Sequence, residues 1–228
     1  MLKQNKKPSV TQIVAEIFPT DPLMFQQALS AEGLARKREK LELLPGWIAE
    51  QVTHLNAADV MFLLSSFGSI IHSIAFDRGL LGIQYKNHAP ILQRHVSSLE
   101  RFFQETWAKL IMWETTVETD DYTGTCDWVL QWNWKNYLID WKTWTAYKYI
   151  YWIKNAILKK NWEPYSRKQD VDKVSLQLSL YREPLEKRIR IDWMLVLWVT
   201  EQWVFYWTCE YNLDLFYEWK RRNSWLTL

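Results

Sequence analysis

The fold is decided by the run Thr123-Gly124-Thr125-Cys126-Asp127-Trp128-Val129-Leu130-Gln131-Trp132-Asn133-Trp134-Lys135-Asn136-Tyr137-Leu138-Ile139-Asp140-Trp141-Lys142-Thr143-Trp144. Aromatic and β-branched residues dominate it, and polar residues interrupt it at Asn133–Asn136. It therefore predicts two strands, Thr123–Trp132 and Tyr137–Trp144, joined by a tight connection. Alternation puts Leu138, Asp140, Lys142 and Trp144 on one face of the second strand, and Tyr137, Ile139, Trp141 and Thr143 on the other. On the first strand Thr125, Asp127, Val129 and Gln131 share a face. A connection symmetric about Asn133 and Trp134 sets Gln131 against Asn136, Leu130 against Tyr137, and Asp127 against Asp140.

Directly opposed Cβ atoms of antiparallel strands lie about 4.5–5.5 Å apart. Two carboxylates at that distance repel, and each raises the pKa of the other unless a cation lies between them. A hard divalent ion, Mg²⁺ or Mn²⁺, removes the conflict, and Mg²⁺ typically takes one or two carboxylates together with phosphate oxygens. Lys142 is then placed to orient or activate a water and to balance charge developing on phosphorus. The competing reading is an exposed Asp127–Lys142 salt bridge with no chemistry. It fits poorly with the apolar neighbours Trp128, Val129, Leu130, Leu138, Ile139 and Trp141.

Outward from this pair, the upstream half reads as helical. Helical patterns cover Leu23–Leu44, Trp47 to about Ser65, Phe67 to near Gly79 and Gly82, and Ile91–Met112. A strand is predicted at Trp113–Glu118. Downstream, the pattern predicts helices at Thr145–Lys160 and Val171–Lys187, a hairpin of Ile191–Val199 with Gln202–Cys209, and a last helix at Leu213–Arg222. The expected class is α/β, a mixed central sheet flanked by helices. Residues 1–66 are read as a helical N-terminal extension and 67–228 as the core with its C-terminal hairpin and helix, one compact domain overall.

Composition narrows the function classes. A net charge of +2 gives no global field to attract nucleic acid, so any such binding must use local basic patches and metal ions. Two cysteines, Cys126 and Cys209, are too few for a disulfide framework, a four-cysteine zinc site or an iron–sulfur cluster, and read as buried reduced thiols. No stretch approaches the roughly 20 apolar residues of a membrane span. Lys3, Lys6 and Lys7 precede no apolar run, so no signal peptide is expected and the chain is read as cytoplasmic, without a membrane partner. Most of the sixteen tryptophans are expected in the core or half-buried on the sheet, with a fraction available to stack on DNA bases.

Gly124-Thr125-Cys126-Asp127 followed by Leu138-Ile139-Asp140-Trp141-Lys142-Thr143 resembles the two central motifs of the PD-(D/E)XK nuclease superfamily, in particular its RecB-like branch of phage exonucleases. Gly68-Ser69-Ile70-Ile71-His72 is similar to the Gly-x-x-x-His helix that precedes the core in that branch, and Gln177-Leu178-Ser179-Leu180-Tyr181 to the Gln-x-x-x-Tyr helix that follows it. Ser9-Val10-Thr11 resembles the opening of some phage members. The resemblance spans about Phe67 to Cys209. It implies a restriction-endonuclease-like core in which Asp127 and Asp140 hold the metal, the Trp141 carbonyl is a backbone ligand, and Lys142 activates the water. It further implies a metal contact from His72, and support of the site or contact with DNA by Gln177 and Tyr181. Gln177 also stands out by itself, since an amide beside the apolar stripe Val174, Leu178 and Tyr181 needs a polar partner.

Glu118, before the Gly-x-x-Asp strand, is a lower-ranked candidate, with Glu114 competing. His54, His88 and His95 match no motif and are expected at the surface. DNA is the expected partner, through Lys154, Lys159, Lys160, Arg167, Lys168, Arg182, Lys187, Arg188 and Arg190, with a homo-oligomer or a recombination protein as further candidates. The activity expected is hydrolysis of DNA phosphodiester bonds by a phage-type exonuclease in recombination or processing. The rivals are a structure- or sequence-specific endonuclease of the same fold and a non-catalytic DNA-binding protein that keeps the fold.

Overall fold

The two strands read from the sequence form the hairpin at the middle of a five-stranded mixed sheet. The computed structural model describes residues 7–19, 57–84, 90–143 and 168–224. In chain order these hold α1 (Val10–Ile17), α2 (Ala57–Leu81), α3 (Pro90–Thr106), β1 (Lys109–Glu118), β2 (Thr123–Trp132), β3 (Lys135–Thr143), α4 (Lys168–Leu185), β4 (Trp193–Val199), β5 (Val204–Cys209) and α5 (Asp214–Ser224). Spatial order follows sequence order, and only β3 and β4 run parallel. Parallel neighbours cannot be joined by a tight turn, and α4 lies in the crossover between them.

Both faces of the sheet are covered. On one, α1, α4 and α5 pack on Val129, Leu138, Met194 and Val196 through Val10, Ile13, Leu178, Leu185 and Phe216. On the other, Ile71, Ile74, Val96, Leu99 and Phe103 of α2 and α3 pack on Trp128, Leu130, Ile139, Trp141, Leu195 and Leu197. β4 is accordingly buried on both sides from Met194 to Val199 and reads as an unbroken apolar run. No helix among the described residues is long and apolar enough to cross a membrane.

Several expected boundaries move. The break expected near Ser65–Phe67 is absent, because α2 runs without interruption from Ala57 to Leu81; the division at 66/67 falls inside that helix. The helix expected to reach Met112 stops at Thr106. Trp107 there adopts φ 54° and its N–H bonds the Phe103 carbonyl at 3.0 Å, which ends the helix and lets β1 begin at Lys109. β3 starts two residues earlier than expected, at Lys135, because the connection is a two-residue turn, Asn133–Trp134. The helices expected at Leu23–Leu44 and Thr145–Lys160 lie outside the described residues.

The N-terminal segment is no appendage. Ser9 and Gln12 form a reciprocal capping box that starts α1, and Val10 and Ile13 are fully buried against the sheet layer. Gly124 is what admits them. A Cβ at this position would sit 2.8 Å from Tyr181 Cε1 and 2.8 Å from Val10 Cγ2. Gly124→Ala is therefore expected to destabilise the protein by about 1–3 kcal/mol through overpacking. Gly68→Ala, with nothing within 4 Å of the added carbon, is expected to be neutral or to stabilise α2 by up to about 1 kcal/mol. Paired thermal melts test this, and an unchanged melting temperature in Gly124→Ala would refute the close approach of Val10 and Tyr181 to Gly124.

Candidate active site

The hairpin register is the expected one, Leu130 with Tyr137 and Gln131 with Asn136, and it runs to Trp128 with Ile139. The ladder ends there, one step short of Asp127 and Asp140. Strand alternation also slips at this point, because Cys126 and Val129 both enter the core beneath α4. On β1, the residue between the Trp113–Trp128 and Thr115–Cys126 pairs is Glu114, held at φ 38°. A glutamate in the left-handed region within a strand is strained. The strands thus part around Asp127, and its side chain reaches a hydrogen bond with Asp140.

Asp140 is only 3% exposed. Lys142 Nζ donates to its Oδ1 at 3.0 Å and lies 2.7 Å from its Oδ2. The shorter approach is off the hydrogen-bond direction, so Oδ2 is ion-paired and buried yet lacks a hydrogen-bond donor. Burial raises the Asp127 carboxyl most, the Asp140 charge and hydrogen bond come next, and Glu114 adds to the rise while Lys142 opposes it. The result is a group pushed up to about 7. One ammonium faces two carboxylates, which favours the protonated form of Asp127.

A histidine side chain meets a backbone carbonyl at the same strand end. His72 of α2 donates from Nε2 to the Trp141 carbonyl at 3.2 Å. Burial lowers the His72 pKa against the raising effects of that carbonyl and of Asp140, while Lys142 adds to the lowering, so the ring is held toward its neutral form. The Trp141 ring packs into the α2–α3 face of the sheet, edge-on to Trp128 at 5.5 Å and to Phe102 at 6.0 Å. This aromatic packing fixes the peptide that carries Asp140 and Lys142.

From the other face, Gln177 and Tyr181 stand one turn apart on α4. Their side chains hydrogen-bond one another, and Tyr181 also bonds Thr11 of α1 and lies near Asp127. Burial pushes the Tyr181 hydroxyl up to about 12. Gln177 thus has the polar partner its position requires.

Other candidates land elsewhere. Glu118 is exposed at the far end of β1, ion-paired with Lys7 at 2.8 Å, and the acidic residue next to Asp127 is Glu114. Nothing local in the sequence separates the two glutamates; the β1–β2 pairing, with its irregularity between Leu110 and Met112, decides. His95 is buried at 5% exposure, not at the surface, because it lies on the core-facing stripe of α3 with Leu92, Val96 and Leu99. Arg182 is structural, donating to Glu186 at 2.7 Å and to the Ile191 carbonyl at 3.0 Å. Cys126 and Cys209 are free and buried, with burial pushing the thiols up to about 11 and about 12. His54, His88, Lys154, Lys159, Lys160 and Arg167 lie outside the described residues.

Among the described residues no three His, Cys, Asp or Glu side chains form a ready metal cluster. The donors that could serve an ion are Asp127, Asp140, the Trp141 carbonyl and His72, a sparse oxygen-rich set of the kind Mg²⁺ uses while keeping several waters. One feature fits an ion: Asp140 Oδ2 is buried with no hydrogen-bond partner, only the Lys142 ammonium beside it. No protein-family model and no curated protein matches the chain.

The raised Asp127 pKa has a signed consequence. Its folded value, about 7, lies above the ordinary aspartate value of 3.8, so the folded protein holds the extra proton within that window. Stability from this group is present at the acid end and is lost as pH rises through about 7. In metal-free buffer with chelator, the difference in melting temperature between Asp127→Asn and the parent should therefore widen in favour of the variant from pH 5 to pH 8. A difference that stays constant with pH would mean that Asp127 is not protonated in the folded state.

Proposed function

We propose that the chain is a metal-dependent DNA nuclease of the PD-(D/E)XK type, in its RecB-like phage exonuclease branch. The observation that carries the reading is the group Asp127, Asp140 and Lys142: two neighbouring carboxylates, one of them almost fully buried, with an ammonium 2.7 Å from Asp140. A structural ion pair has no use for the second carboxylate, and placing it there raises the energy of the metal-free protein. Support also comes from the approach of His72 from one face of the sheet and of Gln177 and Tyr181 from the other, in the order along the chain that the superfamily's restriction-endonuclease-like core requires.

Asp127, Asp140 and the Trp141 carbonyl would hold Mg²⁺ or Mn²⁺, with His72 beside them. The ion would supply Lewis acidity toward a phosphate oxygen and lower the pKa of a bound water. On binding the ion Asp127 would release its proton to solvent, leaving the pair fully anionic. Lys142, with its head half-exposed, keeps Asp140 in place while offering its remaining N–H donors to the attacking water and to the charge growing on the phosphoryl oxygens. Tyr181 and Gln177 brace β2 behind Asp127, and the buried Trp141 ring prevents the β3 peptide from rotating away.

With Mg²⁺ or Mn²⁺ present, linear DNA should be degraded progressively while covalently closed circles survive. Lys142→Ala should lower the rate by about 10²–10³-fold, the usual cost of removing a group that stabilises transition-state charge, with the far-UV spectrum kept. Rapid nicking of closed circles would replace the exonuclease reading with an endonuclease of the same fold. Absence of cleavage of linear, circular and single-stranded DNA with either ion would end it. The ion should also raise the melting temperature, and more at pH 8 than at pH 6, because it competes with the Asp127 proton.

A further inference from the structure

We infer that the end of the sheet formed by the β2–β3 turn is a stacking surface for single-stranded DNA, with Trp134 and Trp107 as the rings that bases cover. The choice of ligand rests on the nuclease reading; the surface itself rests on separate observations.

Two tryptophans stand where the backbone asks for glycine. Trp134 is 97% exposed and sits at φ 62°, the second residue of a turn whose first, Asn133, is at φ 49°. Such turns favour Asn followed by Gly. Asn133 conforms and Trp134 does not. Trp107 is 82% exposed at φ 54°, in the helix-ending position that glycine usually takes. A bulky side chain in the left-handed region is unfavourable, and neither ring gains burial that would offset it. Fold stability explains neither residue, whereas contact with a ligand explains both.

The register brings the two together. Lys109 pairs with Gln131, so Trp107 and Asn133 each lie two residues beyond that pair, at the same end of neighbouring strands. Beside them Trp132 and Tyr137 stack with centroids 3.4 Å apart and planes within 3°, matching the 3.4 Å rise of stacked bases. Trp193, paired with Tyr137 across β3 and β4, is half-exposed and carries the Lys135 ammonium 5.8 Å from its ring centre.

Charge at this end suits phosphate. Lys109 and Lys135 form no ion pair among the described residues. The carboxylate of Asp192 is already held by Arg190 at 2.9 Å and by the Asn136 N–H at 3.0 Å. Rings for bases with ammonium groups for the backbone is the pattern by which proteins hold single strands. Trp134 lies seven steps along the chain from Asp127, through the rest of β2 and into the turn, at most about 23 Å at roughly 3.3 Å per residue, so a strand of modest length could reach both ends of the hairpin.

The test is fluorescence anisotropy of a labelled 15-nucleotide oligodeoxythymidine in chelator, with the parent, Trp134→Gly, Trp134→Asn and Trp107→Gly. Both turn variants and Trp107→Gly should melt at or above the parent, since the left-handed strain is relieved. Each should bind the oligonucleotide about ten- to a hundredfold more weakly, the usual loss for one base–aromatic stack. Unchanged affinity, or no measurable binding by the parent, overturns the inference. So does tryptophan-dependent sedimentation with phosphatidylglycerol vesicles, which would assign this end to a lipid surface. A protein that binds through these rings but cuts no DNA keeps the surface and loses the nuclease reading; one that cuts DNA and binds equally well without them does the reverse.

Discussion

Between β2 and β3 a buried carboxylate, Asp140, faces a second one with a single ammonium to serve both. Burying charge is costly unless it is paired, and here the pairing is incomplete. Much of the local structure is shaped by that imbalance. The hairpin ladder ends before the two aspartates, Glu114 is forced into a left-handed conformation across from them, and the alternation of β2 slips so that Cys126 takes a core position. A regular sheet would have placed the carboxylates face to face with no room between them.

The surrounding packing holds that irregularity in place. Above the sheet the rings of Trp128, Trp141, Phe102 and Phe103 meet one another edge-on or tilted and lock the β3 backbone. Below it, Tyr181 packs against Gly124 and reaches Thr11. Strain at one strand end is tolerated because rigid layers on both faces leave it no direction in which to relax.

The sequence made the centre of the fold legible because its signals there are local. Period-two alternation, an Asn-led turn and the symmetry of that turn were enough to set the register from Trp128 to Trp132. The α/β class followed from helical patterns on either side. What could not be read depends on long-range geometry. The end of α3 is set by Trp107, a residue whose type argues against the conformation it adopts. α2 is continuous where two helices were expected, since no proline interrupts it near Phe67. Glu114 rather than Glu118 neighbours Asp127 because of how β1 pairs, and His95 is buried because of what lies over α3. Gly68, read as half of a motif, has no packing reason to be glycine, whereas Gly124 has a clear one.

The position of α1 carries a consequence for how the chain is made. Ser9 bridges to Thr123, Val10 packs beside Tyr181 and Gly124, and Trp219 Nε1 donates to Glu16 at 2.8 Å, a contact closing a loop of 203 residues. A ribosome delivers α1 well before its partner Trp219 on α5, which emerges 203 residues after Glu16. During synthesis its buried face therefore waits without a core, and closure of so long a loop carries an entropic cost that only the finished layer repays. Folding of this domain should be late and cooperative, with α1 among the last elements to settle.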